Sequence, residues 1–186
     1  VRNYRASYGL HASNGILFNH EGPLRGEDFV TQKIAKAVAA IETGKQDVLM
    51  LGNLNAKRDW GHTQDYVEGM WLMLQQNTPD DYVLATGQTR TVRDFVEAAF
   101  ACIDVTLRWQ GQGIDEQGLC VKTGKVLVAV DAQFFRPNEV HVLCGEATKA
   151  KEKLKWSPRI GFADMVRDMV QSERESYGHG KLHAAA

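Results

Sequence analysis

The 186-residue sequence lacks a long apolar run and lacks an excess of charge of either sign. Its apolar stretches, such as residues 70–74 and 126–130, are far shorter than the roughly 20 residues that a membrane-spanning helix needs. It has 22 Lys and Arg against 23 Asp and Glu, whereas a general nucleic-acid binder needs a basic face to neutralise phosphates. We therefore expect neither a membrane nor a nucleic acid as a partner.

Cysteine is scarce, and no leader of basic and then apolar residues opens the sequence. The three cysteines, Cys102, Cys120 and Cys144, are an odd number without a close pair, which favours reduced thiols over a disulfide framework. These features predict a cytoplasmic protein. The sequence begins with Val1 rather than Met, and its first residues are typical of the end of a helix closed by Gly9. We expect it to be a piece of a longer protein.

The motifs of a free-standing nucleotide enzyme are also missing. The nearest match to a glycine-rich phosphate turn, residues 111–116, lacks the third glycine and is followed by no amphipathic helix. Tyr177 and Lys181 have the spacing of a reductase Tyr-x-x-x-Lys pair, but two glycines lie between them. His20 and Glu21 are adjacent and lack a third metal ligand at usable spacing. We expect no catalytic residue and no metal site in this chain.

Hydrophobic periodicity predicts an α/β fold in which strands alternate with helices. Strands are expected at residues 11–18, 48–51, 82–85 and 105–109, with a hairpin over 121–130. Helices are expected near residues 29–41, 64–74, 92–103, 147–155 and 162–176, and a polar loop over 52–62.

Two helix starts can be predicted in more detail. Thr63 is the expected N-cap of the helix from residue 64, whose inner face is expected to be apolar. That predicted inner face consists of Val67, Met70, Trp71 and Leu74. Thr91 and Asp94 have the spacing of a capping box, with Asp in place of Glu.

Three segments, taken together and in order, carry a resemblance to a known family. Residues 14–33 contain Asn-His-Glu from position 19 and Arg-Gly from position 25, residues 51–66 contain Arg-Asp-Trp from position 58, and residues 134–140 read Phe-Phe-Arg-Pro-Asn-Glu-Val. The chain thereby resembles the GDP-mannose 4,6-dehydratases, which are extended short-chain dehydrogenases/reductases that act on nucleotide sugars. The resemblance covers nearly the whole chain.

The resemblance implies that the chain is roughly the C-terminal half of such an enzyme. Its expected fold is the C-terminal part of a Rossmann-type NAD(P)-binding fold plus the smaller α/β substrate-binding domain. Residues 1–178 would form this substrate-binding portion, without the N-terminal NADP-binding half, and residues 179–186 a disordered tail. The family's glycine-rich turn and its catalytic Thr, Glu, Tyr and Lys would lie upstream.

The resemblance also implies which residues bind ligands. The expected contacts to the cofactor NADP are Asn19, His20 and Arg25. The expected contacts to the GDP-sugar substrate are Asn19, Val30, Lys33, Gly52, Arg58, Arg136 and Glu139.

The chemistry of these residues is compatible with the implied ligand, although each has an ordinary structural interpretation. Arg58 and Arg136 suit phosphate oxygens, and Glu139 can accept hydrogen bonds from ribose hydroxyls. Taken alone, however, Arg58 could form a local ion pair with Asp59, Arg136 could mark a strand end before proline, and Lys33 could be solvated. The functional interpretation depends on the three segments occurring together.

The implied activity is conversion of GDP-mannose to GDP-4-keto-6-deoxymannose and water, as in the formation of GDP-fucose. The implied partners are NADP, a GDP-sugar and further copies of the chain in a dimer or tetramer, and this chain alone is expected to be inactive. Two alternatives stay open: a related nucleotide-sugar dehydratase or epimerase, and a non-catalytic binding fragment.

Overall fold

A computed structural model describes residues 1–135 and 140–183, with side chains as far as residue 178. Its α-helices are α1 (Arg2–Tyr8), α2 (Val30–Glu42), α3 (Thr63–Leu74), α4 (Val92–Ala101), α5 (Thr148–Leu154) and α6 (Phe162–His183). Its strands are β1 (Asn14–Leu17), β2 (Asn19–Glu21), β3 (Leu49–Leu51), β4 (Lys57–Arg58), β5 (Trp60–His62), β6 (Asp81–Leu84), β7 (Arg90–Thr91), β8 (Leu107–Gln110), β9 (Gln117–Cys120), β10 (Val126–Val130) and β11 (Val142–Leu143). The predicted α/β alternation is confirmed.

The chain divides into two compact units. The first unit comprises Val1–Glu21, Arg58–Thr89 and Val142–Phe162. The second unit comprises Gly22–Lys57, Arg90–His141 and the residues from Ala163 onward. Each unit is therefore built from segments that are distant in the sequence.

The first unit contains two pairs of parallel strands. Strand β1 pairs with β6 from Asn14 opposite Asp81 to Leu17 opposite Leu84. Strand β2 pairs with β5, with His20 opposite Gly61. The main core cluster of this unit gathers side chains from α3, α5, β6 and the segment after α5: Tyr66, Met73, Tyr82, Leu84, Ala150, Leu154 and Trp156. Parallel pairing requires a crossover connection, and the long connection from β1 to β6 ends with α3.

The first helix is fastened to this sheet by an ion pair. The Arg5 guanidinium donates to both carboxylate oxygens of Asp81, at 2.9 and 3.1 Å. This contact lowers the pKa of Asp81 to about 2. The last turn of α1 is thus held at the start of β6.

The predicted inner face of α3 is wrong. Val67, Trp71 and Leu74 are more than half exposed, and Met70 is 37 % exposed. The face that packs inward is instead composed of Asp65, Tyr66, Gly69 and Met73. Periodicity identified an apolar stripe but could not identify which side of the helix has a partner.

Polar and small residues make the buried face of α3 possible. Backbone N–H groups of Arg159 and Ile160 donate to the Asp65 carboxylate, each at 3.0 Å, so its charge is solvated by the chain. A Cβ at position 69 would lie 2.6 Å from Leu84 Cδ1, so Gly69 allows the helix to approach β6 closely. The cap also differs from the prediction, because His62 Nδ1 accepts from Gln64 N and Thr63 donates to the Glu21 carbonyl.

The second unit is built on a four-stranded sheet in the order β3-β10-β9-β8. Strand β10 is parallel to β3 and antiparallel to β9, and β8 is antiparallel to β9. Helices α2 and α4 contact each other. The fully buried side chains of this unit include Ile34, Val38, Leu49, Phe95, Phe100 and Val128.

Local sequence signals predicted parts of this unit well. The capping box is confirmed, since Thr91 Oγ1 accepts from Asp94 N at 3.0 Å and Asp94 Oδ2 accepts from Thr91 N at 2.7 Å. The turn around Gly124 is also confirmed: its φ is 71°, and its N–H donates to the Cys120 carbonyl at 2.8 Å. The first strand of that hairpin, β9, lies earlier than predicted.

Several boundaries differ from the predictions. The strand expected at 11–18 is confined to residues 14–17, and its Ile16 is 56 % exposed. The loop expected at 52–62 contains the buried strand β5, whose partner β2 lies about forty residues earlier. Helix α6 continues as far as His183, within the tail expected to be disordered, and residues 184–186 lie outside the described residues. Among the described residues, no helix is long and apolar enough to cross a membrane.

The exposed stripe on α3 leads to a prediction about association. We expect the purified chain to self-associate with rising concentration, because four large apolar side chains share one solvent-facing stripe. Replacing Trp71 and Leu74 by Glu should reduce the average mass in analytical ultracentrifugation while changing stability by only about 0.5 kcal/mol per site. The matched control is Met73→Glu on the buried face, which should unfold the chain. A wild-type chain that is monomeric at every concentration contradicts the prediction.

Candidate functional site

The residues that the resemblance singled out lie in both units. Asn19, His20 and Arg58 belong to the first unit, whereas Arg25, Val30, Lys33 and Gly52 belong to the second. Arg136 and Glu139 lie outside the described residues.

In the first unit, Asp59 fixes the segment that carries Arg58. Its carboxylate is fully buried and accepts from Thr86 N and Oγ1, Gly87 N and Gly145 N, at 2.5 to 3.1 Å. A buried charge is tolerated when several donors replace its water. Asp59 thereby joins three chain segments, and Arg58 is held next to this point at the end of β4.

His20 is held in one orientation on β2. Its Nδ1 lies 3.0 Å from the Phe18 carbonyl oxygen, which can only accept, so Nδ1 donates a proton to it. The ring also stacks on Tyr66, with centroids 5.4 Å apart. Asn19 precedes His20 on the same strand, and neighbouring strand side chains point to opposite faces. The structure therefore does not bring these two predicted cofactor contacts side by side.

Tyr66 is a residue that the sequence did not single out. It is fully buried, and its hydroxyl finds no hydrogen-bond partner among the described residues. Burial raises the pKa of Tyr66, and the nearby carboxylates of Asp59 and Asp65 raise it further, so the hydroxyl stays neutral. Gly61 makes room for the ring, since a Cβ there would lie 2.5 Å from Tyr66 Cε2. No local pattern marks such a residue, because its surroundings come from distant segments.

In the second unit, two predicted substrate contacts meet at one turn, formed by residues 132–134 after β10. The Lys33 ammonium, from the start of α2, lies 3.5 Å from the centroid of the Phe134 ring. Gly52, directly after β3, lies against the backbone of the same residue, because a Cβ at Gly52 would be 2.3 Å from the Phe134 carbonyl oxygen. We call Lys33, Gly52 and Phe134 the Phe134 cluster. It unites three segments that are remote in the sequence.

The turn that presents Phe134 is fixed by its own hydrogen bonds. The Asp131 N–H donates to the Leu51 carbonyl at 2.9 Å, and the Asp131 carboxylate accepts from Gln133 N at 2.9 Å. Phe134 N donates to the Asp131 carbonyl at 3.1 Å. These hydrogen bonds fix the turn relative to the end of β3, beside Lys33.

Lys33 lies in a partly dry environment. Desolvation lowers the pKa of Lys33, and the opposing charge of Asp131 raises it by less. A partly desolvated cation interacts more strongly with an anionic ligand than a fully hydrated one.

The two remaining predicted residues lie close to the start of α2. The Arg25 guanidinium is stacked on the Phe29 ring, 3.4 Å from its centroid. Val30 is the first residue of the helix, whose N-cap residue Phe29 supplies no side-chain hydrogen bond.

Solved structures define the class of this fold. RMD from Pseudomonas aeruginosa complexed with NADPH matches with a TM-score of 0.78 at 19% identity, covering 94% of this chain and 52% of the other. The dTDP-glucose 4,6-dehydratase of Bacillus anthracis in complex with NAD matches with a TM-score of 0.70 at 18% identity, covering 95% and 49%. The fold is that of about half of an extended short-chain dehydrogenase/reductase, as predicted.

Sequence comparison identifies the family within that class. The family model for GDP-mannose 4,6 dehydratase matches residues 1–169. The chain is 58% identical over 173 residues to GDP-mannose 4,6-dehydratase of Sinorhizobium fredii and 54% identical over 175 residues to the human enzyme of that name. These two matches cover 93% and 94% of this chain, but only 49% and 47% of the two relatives. The chain belongs to the GDP-mannose 4,6-dehydratase family and spans about half the length of these curated relatives.

The close approach at Gly52 gives a prediction about stability. Gly52→Ala should lower the free energy of unfolding by about 1–3 kcal/mol, because the new Cβ meets backbone atoms of Phe134 that cannot move aside without distorting the turn. Urea denaturation followed by circular dichroism measures the change. The control is Gly26→Ala in the same unit, where the nearest atom would be 3.5 Å from the new Cβ and a change within about 0.5 kcal/mol is expected. Equal effects of the two substitutions would show that the close approach is not a constraint.

Proposed function

We propose that this chain forms the GDP-sugar-binding part of a GDP-mannose 4,6-dehydratase. The observation that carries the proposal is the Phe134 cluster, in which two residues implied as substrate contacts, Lys33 and Gly52, meet at one turn. The similarity to relatives that bear this name supports the same substrate class. In this proposal residues 1–178 are the substrate-binding portion and lack the NADP-binding half.

The proposed reaction converts GDP-mannose to GDP-4-keto-6-deoxymannose and water. A nicotinamide coenzyme, which Asn19, His20 and Arg25 would contact, would supply the hydride chemistry that this conversion needs at C4 and C6 of the sugar. Oxidation at C4 acidifies the proton on C5, so that the C6 hydroxyl can leave as water. This chain would hold the nucleotide end of the substrate and thereby fix the sugar for the transfer. The catalytic residues are expected outside it, so the chain alone should be inactive.

Asn19 and His20 fit a contact with the coenzyme in their chemistry. Neither the Asn19 amide nor His20 Nε2 has a hydrogen-bond partner among the described residues, so both groups remain available to a ligand. A carboxamide such as that of nicotinamide offers matching groups. We propose NADP as this coenzyme, with Arg25 as the third contact. The diphosphate of the coenzyme would need a glycine-rich turn, which this sequence does not contain.

The remaining proposed substrate contacts would bind different parts of the nucleotide. Lys33 and Arg58 would face phosphate oxygens, with Gly52 leaving room for close backbone approach and Val30 lining the site. Arg136 and Glu139 would hold the nucleoside-diphosphate end. The proposal extends to a cytoplasmic homo-oligomer, a dimer or tetramer, that supplies the precursor of GDP-fucose.

A panel of nucleotide sugars tests the proposed substrate class. Isothermal titration calorimetry of the chain should give the tightest binding for GDP-mannose, with UDP-glucose and dTDP-glucose at least tenfold weaker. Lys33→Met should weaken GDP-mannose binding by about tenfold, through loss of a charged hydrogen bond. The control is Lys36→Met on the same helix, whose ammonium is paired with Glu27 and should not contribute. Tighter binding of a UDP- or dTDP-sugar would reject the proposal.

The pH dependence of binding tests the part assigned to Lys33. Because burial lowers the pKa of Lys33, the ammonium loses its proton at a lower pH than an ordinary lysine. GDP affinity should therefore be full below that lowered pKa and fall as the pH rises through it. Lys33→Arg should abolish this fall, since a guanidinium stays charged. GDP binding should be measured between neutral and alkaline pH, with circular dichroism as a check on folding. If the GDP affinity of the variant falls together with that of the wild type, the assignment is contradicted.

A further inference from the structure

Phe134 is an aromatic side chain that the structure holds in place yet leaves open to solvent. It is 41% exposed, although its backbone is fixed by the Asp131 hydrogen bond and by the close approach of Gly52. Phe134 is therefore positioned by these backbone contacts and not by burial of its ring. A rigid, exposed ring is suited to binding a flat ligand at little cost in conformational entropy.

One face of the ring carries a cation, since the Lys33 ammonium lies 3.5 Å from the ring centroid. Phe134 is 41% exposed despite this contact. A cation on one face withdraws electron density from the ring, which favours stacking of an electron-rich base on the other.

The pair of Lys33 and Phe134 differs from two other cation–aromatic pairs in the chain, whose cations also form ion pairs. Arg93 over Trp109 is also ion-paired with Glu116 at 2.6 Å, and Lys149 over Tyr82 is ion-paired with Asp80 at 2.6 Å. Among the described residues, no carboxylate lies within salt-bridge distance of Lys33. Its N–H donors remain available to an anionic ligand beside the ring.

We infer that Phe134 is the platform on which the purine base of the nucleotide stacks, with Lys33 beneath the ring and directed toward the phosphates. The inference rests on the proposed function and adds to it the residue that recognises the base. Because the base would stack on the ring, loss of the ring should weaken nucleotide binding by about tenfold.

Binding of GDP and of inorganic pyrophosphate to the 186-residue chain tests the inference. Phe134→Leu keeps an apolar side chain but removes the ring, and it should weaken GDP binding about tenfold. Pyrophosphate has no base, so its binding should be unchanged. Phe134→Trp should restore GDP binding, and the fluorescence of the new tryptophan should be quenched by the guanine. The control is Phe135→Ala, which removes an equally exposed neighbouring ring and should leave both affinities unchanged.

The outcomes separate this inference from the proposed function. If the wild type binds GDP and Phe134→Leu binds it equally well, Phe134 is not the platform and the proposed function stands. If Phe134→Leu weakens pyrophosphate and GDP equally, the ring acts only by positioning Lys33, and the stacking inference is overturned. If the folded wild type does not bind GDP, both are overturned.

Discussion

The candidate site depends on one constraint, the contact of the backbone at Gly52 with the backbone at Phe134. No side chain can stand between them, because a Cβ would lie 2.3 Å from the carbonyl oxygen. The contact sets the distance between the end of β3 and the turn after β10. Since Lys33 reaches that turn from a third element, its position over the ring follows from the same constraint. A surface that combines a cation, an open backbone and an aromatic ring is thereby built from three remote segments.

In the first unit, distant segments are held together by a buried charge. Three segments meet at the Asp59 carboxylate. The four hydrogen bonds that it accepts compensate for its removal from water. Asp65 does the same for the segment that follows α5. Each of these carboxylates holds backbone N–H groups of distant segments in one arrangement. Arg58 and the strand β5, which pairs with the strand of His20, are arranged around such a point.

Sequence reasoning succeeded where a structure is determined locally. The capping box of Thr91 and Asp94 needs only residues three apart, and the turn at Gly124 needs only its own left-handed backbone. It failed on α3, because the buried face is selected by partners such as Leu84 and Trp156, which are distant in the sequence. Lys33 and Gly52 were found through the family resemblance, not through any local pattern. Phe134 lay within a resembling segment, but its contact with both could not be derived without the fold.

We propose that this chain serves as the substrate-binding half of a GDP-mannose 4,6-dehydratase. The most direct measurement is the activity of a chimera in which this chain replaces the matching 173 residues of the Sinorhizobium fredii relative, to which it is 58% identical. We expect the chimera to form the 4-keto-6-deoxy product from GDP-mannose, as the parent enzyme is expected to do in the same assay. A chimera that folds and binds its coenzyme, but forms no product under conditions in which the parent is active, would contradict it.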